Sequence, residues 1–244
     1  MGESLILDFG NTLKKAAVYR GETLLEIEAD SVDILEIIKN FQQKYPLLSS
    51  AILSSVIHVE PNVLHYLENN FRFIHFDAQT PIPIINKYHT PQTLGLDRLA
   101  AAIGAYNLFP KKNTLVIDMG SSITYEFINE KKEYIGGAIS PGLYMRAKAL
   151  HEFTAKLPYI EPKTTETPLV GKTTQESIKS GVINACIAEM DGMINEFKNN
   201  YDDLCIILTG GDAFYFEKRL KNNIFASRNL VLEGLNHILK FNEH

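Results

Sequence analysis

Two short segments carry residue types suited to holding phosphate: Asp8-Phe9-Gly10-Asn11-Thr12 and Asp118-Met119-Gly120-Ser121-Ser122. Each follows an apolar run, Leu5-Ile6-Leu7 in the first case and Thr114-Leu115-Val116-Ile117 in the second. The acidic residue stands where a strand ends and can hold a cation. The glycine two positions on lets the backbone approach phosphate oxygens, and the hydroxyl donates to them. A lone Asp-x-Gly reads as a simple turn. Two copies in the same context, nearly half of the 244-residue chain apart, point instead to a duplicated fold with a phosphate site between its halves. Phosphoryl transfer fits, because it depends on positioning and on neutralising charge at the transferred group.

Other residues add donors and a possible base. Asn11, Thr12 and Lys15 extend the first loop; Lys15 fits a phosphate contact and a solvated strand face equally well. Ser121, Ser122 and Thr124 supply hydroxyls to the second, with Ser121 best placed directly after the glycine. In Gly95-Leu96-Asp97-Arg98, Asp97 suits the positive end of a following helix. It suits equally a carboxylate that takes a proton from a substrate hydroxyl, with Arg98 beside it for an anionic group. The glycines of Gly136-Gly137-Ala138-Ile139-Ser140-Pro141-Gly142 either turn the chain or admit a ligand close to the backbone. The same two uses are open at Thr209-Gly210-Gly211. The seven histidines lack metal-ligand spacing.

The elements that must position these residues are legible in outline. Segments 4–9, 13–19 and 23–28 read as a three-strand meander, with Gly21 in the second turn. Val32, Leu35, Ile38 and Phe41 recur at helical spacing. A strand at 51–56, a helix at 62–70 and a strand at 73–76 follow. Pro81, Pro83 and Pro91 predict an extended crossing. A helix at 96–108 and strands at 114–118, 123–128 and 133–135 then repeat the opening pattern. Helices at 143–151 and 176–197 flank a Thr/Pro/Lys-rich loop at 156–172. A strand at 204–208 leads into the Thr209 to Asp212 turn. The expected architecture is α/β, with lobes 1–90 and 91–244 and a cleft between them.

Composition narrows the function classes. Hydrophobic residues make up 45% and charged residues 22%, ordinary values for a folded domain. A net charge of −5 argues against a nucleic-acid binder that works by neutralising phosphates. The two cysteines, Cys186 and Cys205, lie in separate apolar segments and read as reduced thiols. No apolar stretch has membrane-spanning length, and the expected location is cytoplasmic.

Taken together, the motifs resemble type III pantothenate kinase, a branch of the actin–hexokinase superfamily with two ribonuclease-H-like lobes. The matching pieces are Asp8 to Thr12, Gly95 to Arg98, Asp118-Met119-Gly120, Gly136 to Gly142, Thr154-Ala155-Lys156-Leu157-Pro158 and Thr209-Gly210-Gly211. The resemblance implies ATP-dependent phosphorylation of pantothenate to 4'-phosphopantothenate, the first step towards coenzyme A. It makes Asp97 the proton acceptor and Asp118 the ligand of a monovalent cation, K+ or NH4+. It assigns ATP to Asp8, Phe9, Gly10, Asn11, Thr12, Leu13, Lys14 and Lys15, with Ser121. Tyr88, Gly95, Leu96, Asp97, Arg98 and Thr174 match its pantothenate contacts. It also implies a homodimer whose partner completes the substrate pocket. One departure stands out: Ser121-Ser122 replaces the family's usual Thr-Ala, with the hydroxyl kept at Ser121 and Thr124 retained. The expectation is therefore a kinase in which both loops hold ATP with Mg2+ while Asp97 accepts the hydroxyl proton. A kinase for another small alcohol and a nucleotide-binding regulator without turnover are the alternatives.

Overall fold

Short apolar runs separated by tight turns make the opening segment a meander, and the computed structural model, which describes residues 2–30, 33–164 and 166–243, shows its strands. These are β1 (Glu3–Phe9), β2 (Lys14–Arg20) and β3 (Thr23–Asp30), paired antiparallel in sequence. Helix α1 (Ile34–Lys44) starts at Asp33, whose carboxylate accepts the Glu36 N–H at 3.1 Å. Val32, expected as the helix start, lies outside the described residues. Strand β4 (Leu48–Ser55) returns parallel to β1. Helix α2 (Pro61–Asn70), with its proline at the tolerated first position, leads into β5 (Arg72–His75). The sheet order is β3-β2-β1-β4-β5. Leu5, Leu7, Val18 and Leu53 pack with Ile38, Phe41 and Leu67 in one buried cluster. Each such side chain contributes roughly 1.5–3 kcal/mol on burial.

The second sheet repeats this plan. After β6 (Ile85–Asn86), a 3-10 turn (Pro91–Thr93) and α3 (Leu96–Leu108) come β7 (Thr114–Met119), β8 (Ser122–Ile128) and β9 (Glu133–Pro141). Helices α4 (Leu143–Glu152) and α5 (Thr174–Asn200) precede β10 (Cys205–Thr209). The short α6 (Ala213–Glu217), β11 (Phe225–Ala226) and α7 (Leu230–Asn242) complete the chain. The order is β11-β10-β7-β8-β9-β6, so β9-β8-β7-β10-β11 reproduces β3-β2-β1-β4-β5, with β6 added at one edge. As in the first sheet, the second strand runs antiparallel to the first and the fourth parallel to it.

Three features depart from the sequence reading. The glycine-rich segment is largely strand, since β9 runs on through Gly136 and Gly137 to Pro141. The reason is tertiary: a Cβ on Gly137 would lie 1.5 Å from the Tyr125 carbonyl oxygen, so only glycine allows this approach to β8. The proline-bearing crossing contains β6, paired parallel with β9. Helix α7 goes unforeseen, although Leu232, Leu235, Ile238 and Leu239 repeat at helical spacing and are all buried.

Contacts group the chain into two compact units. The first comprises Met1–Pro110, Lys131–Gly136 and Asn229–His244; the second comprises Lys111–Glu130 and Gly137–Arg228. In the first, α7 crosses α3 at two glycines: a Cβ on Gly234 would lie 1.8 Å from the Ala100 carbonyl oxygen, and one on Gly104 2.5 Å from that of Leu230. In the second, Leu115, Ile117, Tyr125, Ile183, Met190 and Leu208 centre a separate core. Among the described residues no helix is long and apolar enough to cross a membrane.

Candidate active site

In the first unit, Asp8 is the penultimate residue of β1, in register with Lys15 on β2 and Ser54 on β4. Burial pushes its carboxyl up to about 6; Lys15 opposes this and the charge of Asp97 adds to it. Asp8 thus feels the charges of both Lys15 and Asp97. Asn11, Thr12 and Leu13 form the exposed turn after β1, closed by the Gly10 N–H donating to the Leu13 carbonyl at 3.1 Å. The Phe9 side chain is buried in the core, with the Lys14 ammonium 5.7 Å from its ring centre, so the main chain is what Phe9 offers a ligand.

Asp97 lies in the first turn of α3, where its Oδ1 accepts the Arg98 N–H at 2.9 Å. Gly95 leaves space for it, because a Cβ there would lie 2.6 Å from that oxygen. Asp97 thus sits at the positive end of α3, where its charge favours the helix start. Arg98 is buried, with its guanidinium 5.9 Å from the Tyr88 ring centre. Tyr88, Leu96, Asp97 and Arg98 are all in the first unit. A hollow of about 290 Å³ opens beside Leu96, walled by Ile82, Ile84, Asn86, Leu94 and Leu99.

In the second unit, Asp118 is the penultimate residue of β7, in register with Thr124 on β8 and Thr209 on β10. Its environment thus repeats that of Asp8, with Thr124 in place of Lys15 and Thr209 in place of Ser54. The turn after it is tight: the Gly120 N–H donates to the Ser122 carbonyl at 3.0 Å. Two glycines flank it. Gly142 donates its N–H to the Ser121 carbonyl at 3.1 Å. Gly210 takes a φ of +93°, and a Cβ there would lie 2.4 Å from Asp118 Oδ1. The glycine-rich motifs thus serve close backbone packing around Asp118 and Ser121.

Thr174 is the exposed first residue of α5, after the N-cap Thr173. Thr154 follows the end of α4, donating to the Leu150 carbonyl at 2.7 Å and accepting the Leu157 N–H at 3.3 Å. Asp8 and Asp118 are hard oxygen donors, suited to Mg2+ or K+. Among the described residues no group of three or more His, Cys, Asp or Glu could hold a metal ion. A divalent cation bound here would take the rest of its shell from phosphate and water, as Mg2+ commonly does. Sequence reasoning missed Ser54, Arg146 and Glu189, whose places depend on strand register and helix packing rather than on a local motif.

A model of the type III pantothenate kinase family matches residues 4–196. Type III pantothenate kinases of Christiangramia forsetii and Phocaeicola vulgatus are each 44% identical over 241 residues, covering 98% of this chain and 99% of theirs. Among solved structures, a Campylobacter jejuni chain named for the Baf family of transcriptional activators superposes with a TM-score of 0.59 at 20% identity, over 98% of both chains. A glucokinase from an Antarctic psychrotroph gives 0.55 at 10% identity, over 99% of both. At such identities these likenesses speak to the fold alone, an α/β arrangement with two ribonuclease-H-like lobes. The family model and the full-length relatives go further: this chain belongs to the type III pantothenate kinase family.

Proposed function

We propose that the chain transfers the γ-phosphoryl group of ATP to the hydroxyl of pantothenate, giving 4'-phosphopantothenate in the cytoplasm as the first step of coenzyme A synthesis. The observation that carries this reading, beyond family membership, is the place of Asp8 at the end of β1, in register with Lys15 on β2 and within reach of the charge of Asp97 at the start of α3. Asp97 accepts the proton as the hydroxyl oxygen bonds to the γ-phosphorus, the bond from phosphorus to the β,γ-bridging oxygen breaks, and ADP leaves. The turn from Asp8 to Lys15 presents main-chain N–H groups and the Lys15 charge to the phosphates, and Ser121 adds a hydroxyl. Arg98, steadied by Tyr88, supplies a cation for the pantothenate carboxylate. Gly95, Leu96 and Thr174 complete its contacts.

Mg2+, when bound with ATP, neutralises charge on the phosphates, and K+ or NH4+ at Asp118 adds a second positive charge. A homodimer is supported by apolar side chains concentrated on the second unit: Phe153, Leu169, Val170 and Ile139 are 85%, 82%, 75% and 62% exposed. In chain order, the lobes 1–90 and 91–244 each carry one copy of the duplicated plan, apart from β6, which lies in the first stretch and pairs in the second sheet.

The test is mass spectrometry of the product after incubation with pantothenate, ATP and Mg2+, with and without K+. K+-dependent 4'-phosphopantothenate supports the substrate and the Asp118 role. Asp97→Asn should reduce kcat at least about a hundredfold, the usual worth of a positioned acid–base group, with the fold intact by circular dichroism. Near-normal turnover in that variant would remove Asp97 from proton transfer. No product from folded wild type that binds ATP would point to another alcohol or to a regulator.

A further inference from the structure

The second phosphate turn is held from behind. Gly142 presses its backbone against that turn, and a Cβ there would lie 2.3 Å from the Ser121 carbonyl oxygen and 2.6 Å from that of Gly120. Where Gly142 sits therefore fixes where Ser121 sits. Gly142 in turn follows Ser140 and Pro141, and one side chain grips both. Arg146 donates through Nε to the Pro141 carbonyl at 2.8 Å and through Nη2 to the Ser140 hydroxyl at 3.2 Å.

Arg146 is itself held by Glu189, a residue of α5. Glu189 accepts from Arg146 Nη2, from the Ser140 hydroxyl at 2.5 Å and from the Tyr125 hydroxyl at 2.9 Å. Its side chain is 28% exposed and that of Arg146 19%, so the pair is partly shielded from water and stronger than a surface ion pair. Burial pushes the Glu189 carboxyl up, but its bonds to Ser140, Arg146 and Tyr125 outweigh this and hold it below the usual carboxylate range. Three elements, β8, β9 and α5, thus meet at one carboxylate, and α4 reaches the same point through Arg146.

We propose that Arg146 and Glu189 are positioning residues that set the nucleotide-binding geometry of the Gly120-Ser121 turn by clamping Ser140-Pro141-Gly142 against it. This rests on the reading of Ser121 as an ATP contact. The pair acts through the backbone of Gly142. Releasing it should weaken nucleotide binding and leave pantothenate recognition, carried by Tyr88 and Arg98, in place.

The experiment uses the full-length protein and four variants: Glu189→Ala, Glu189→Gln, Arg146→Ala and Ser121→Ala. ADP affinity is measured by calorimetry, and amide hydrogen exchange is followed over residues 118–124. Loss of the clamp should raise the ADP dissociation constant and the KM for ATP by roughly tenfold in Glu189→Ala and Arg146→Ala. Exchange at Gly120 to Ser122 should quicken, and the KM for pantothenate should stay within about twofold. Glu189→Gln keeps one acceptor oxygen for Tyr125 and Ser140 but loses the charge and the acceptor that Arg146 uses, so its affinity should fall between those of wild type and Glu189→Ala. Unchanged ADP affinity and exchange in the two alanine variants would overturn the proposal. So would equal loss for both substrates with a general rise in exchange, which marks a merely structural role. Wild-type protein that binds ADP, with Ser121→Ala no weaker, would instead overturn the ATP assignment of Ser121.

Discussion

At the scale of residues, Asp8 shows how the site trades stability for function. Burial raises its carboxyl to about 6, with Lys15 opposing and Asp97 reinforcing. A folded-state value above the ordinary 3.8 means that the folded chain binds this proton more tightly than the unfolded chain does. The resulting stability is full below about pH 4 and is lost as pH rises through 6. Asp8→Asn removes that loss. It should therefore raise stability at pH 7.5 by on the order of 1–3 kcal/mol, with a smaller gain at pH 5, while abolishing ATP binding. Urea unfolding at the two pH values measures both terms; an equal or negative effect at pH 7.5 would refute the argument. The Asp8 and Asp118 motifs were legible because their chemistry is written locally, in an acidic residue, a glycine and a hydroxyl after an apolar run. The Glu189 clamp was not, because Tyr125, Ser140, Arg146 and Glu189 meet only when four elements pack. Nothing in the spacing of those residues distinguishes them from solvated polar side chains.

At the scale of elements, the crossing of α3 and α7 fixes the helix that carries Asp97. The two backbones touch at Gly104 and Gly234, and neither tolerates a Cβ. Gly234→Ala would force the helices apart and should cost about 1–3 kcal/mol or more, as overpacking generally does. Because Asp97 sits in the first turn of α3, kcat should fall as well. Gly181→Ala on α5 is the control, since a Cβ there meets nothing within 4 Å and alanine favours the helix by up to about 1 kcal/mol. Thermal unfolding and turnover of the two variants check both statements; similar stabilities would show that the crossing relaxes. The meander was legible from short strand-like runs joined at Gly21, and the helix over 96–108 from its alanines. The extension of β9 was not, because two adjacent glycines ordinarily end a strand; here Gly136 takes a φ of +129° and Gly137 is required by the approach to Tyr125.

At the scale of the whole molecule, one plan is used twice, and the two copies place an aspartate at the same point of their first strand. The duplication was legible in the paired motifs. The composition of the compact units was not, since it depends on a C-terminal helix that returns to pack with the first sheet. The residues assigned to pantothenate divide between these units, with Tyr88 and Gly95 to Arg98 in the first and Thr174 in the second. If the homodimer completes each pocket with Thr174 of the partner subunit, one active site draws on two chains. Two inactive variants should then rescue each other. Asp97→Asn lacks the proton acceptor, and Thr174→Arg blocks the pocket it helps to form in the other subunit. Each alone should be nearly inactive. Mixed after dissociation and reassociation, about half of the dimers are hybrid, and each hybrid holds one intact site, giving about a quarter of wild-type activity. Turnover of the mixture measures this directly. If Thr174 serves the pocket of its own chain, a hybrid is built from two defective sites and the mixture stays inactive, which would end the shared-site reading.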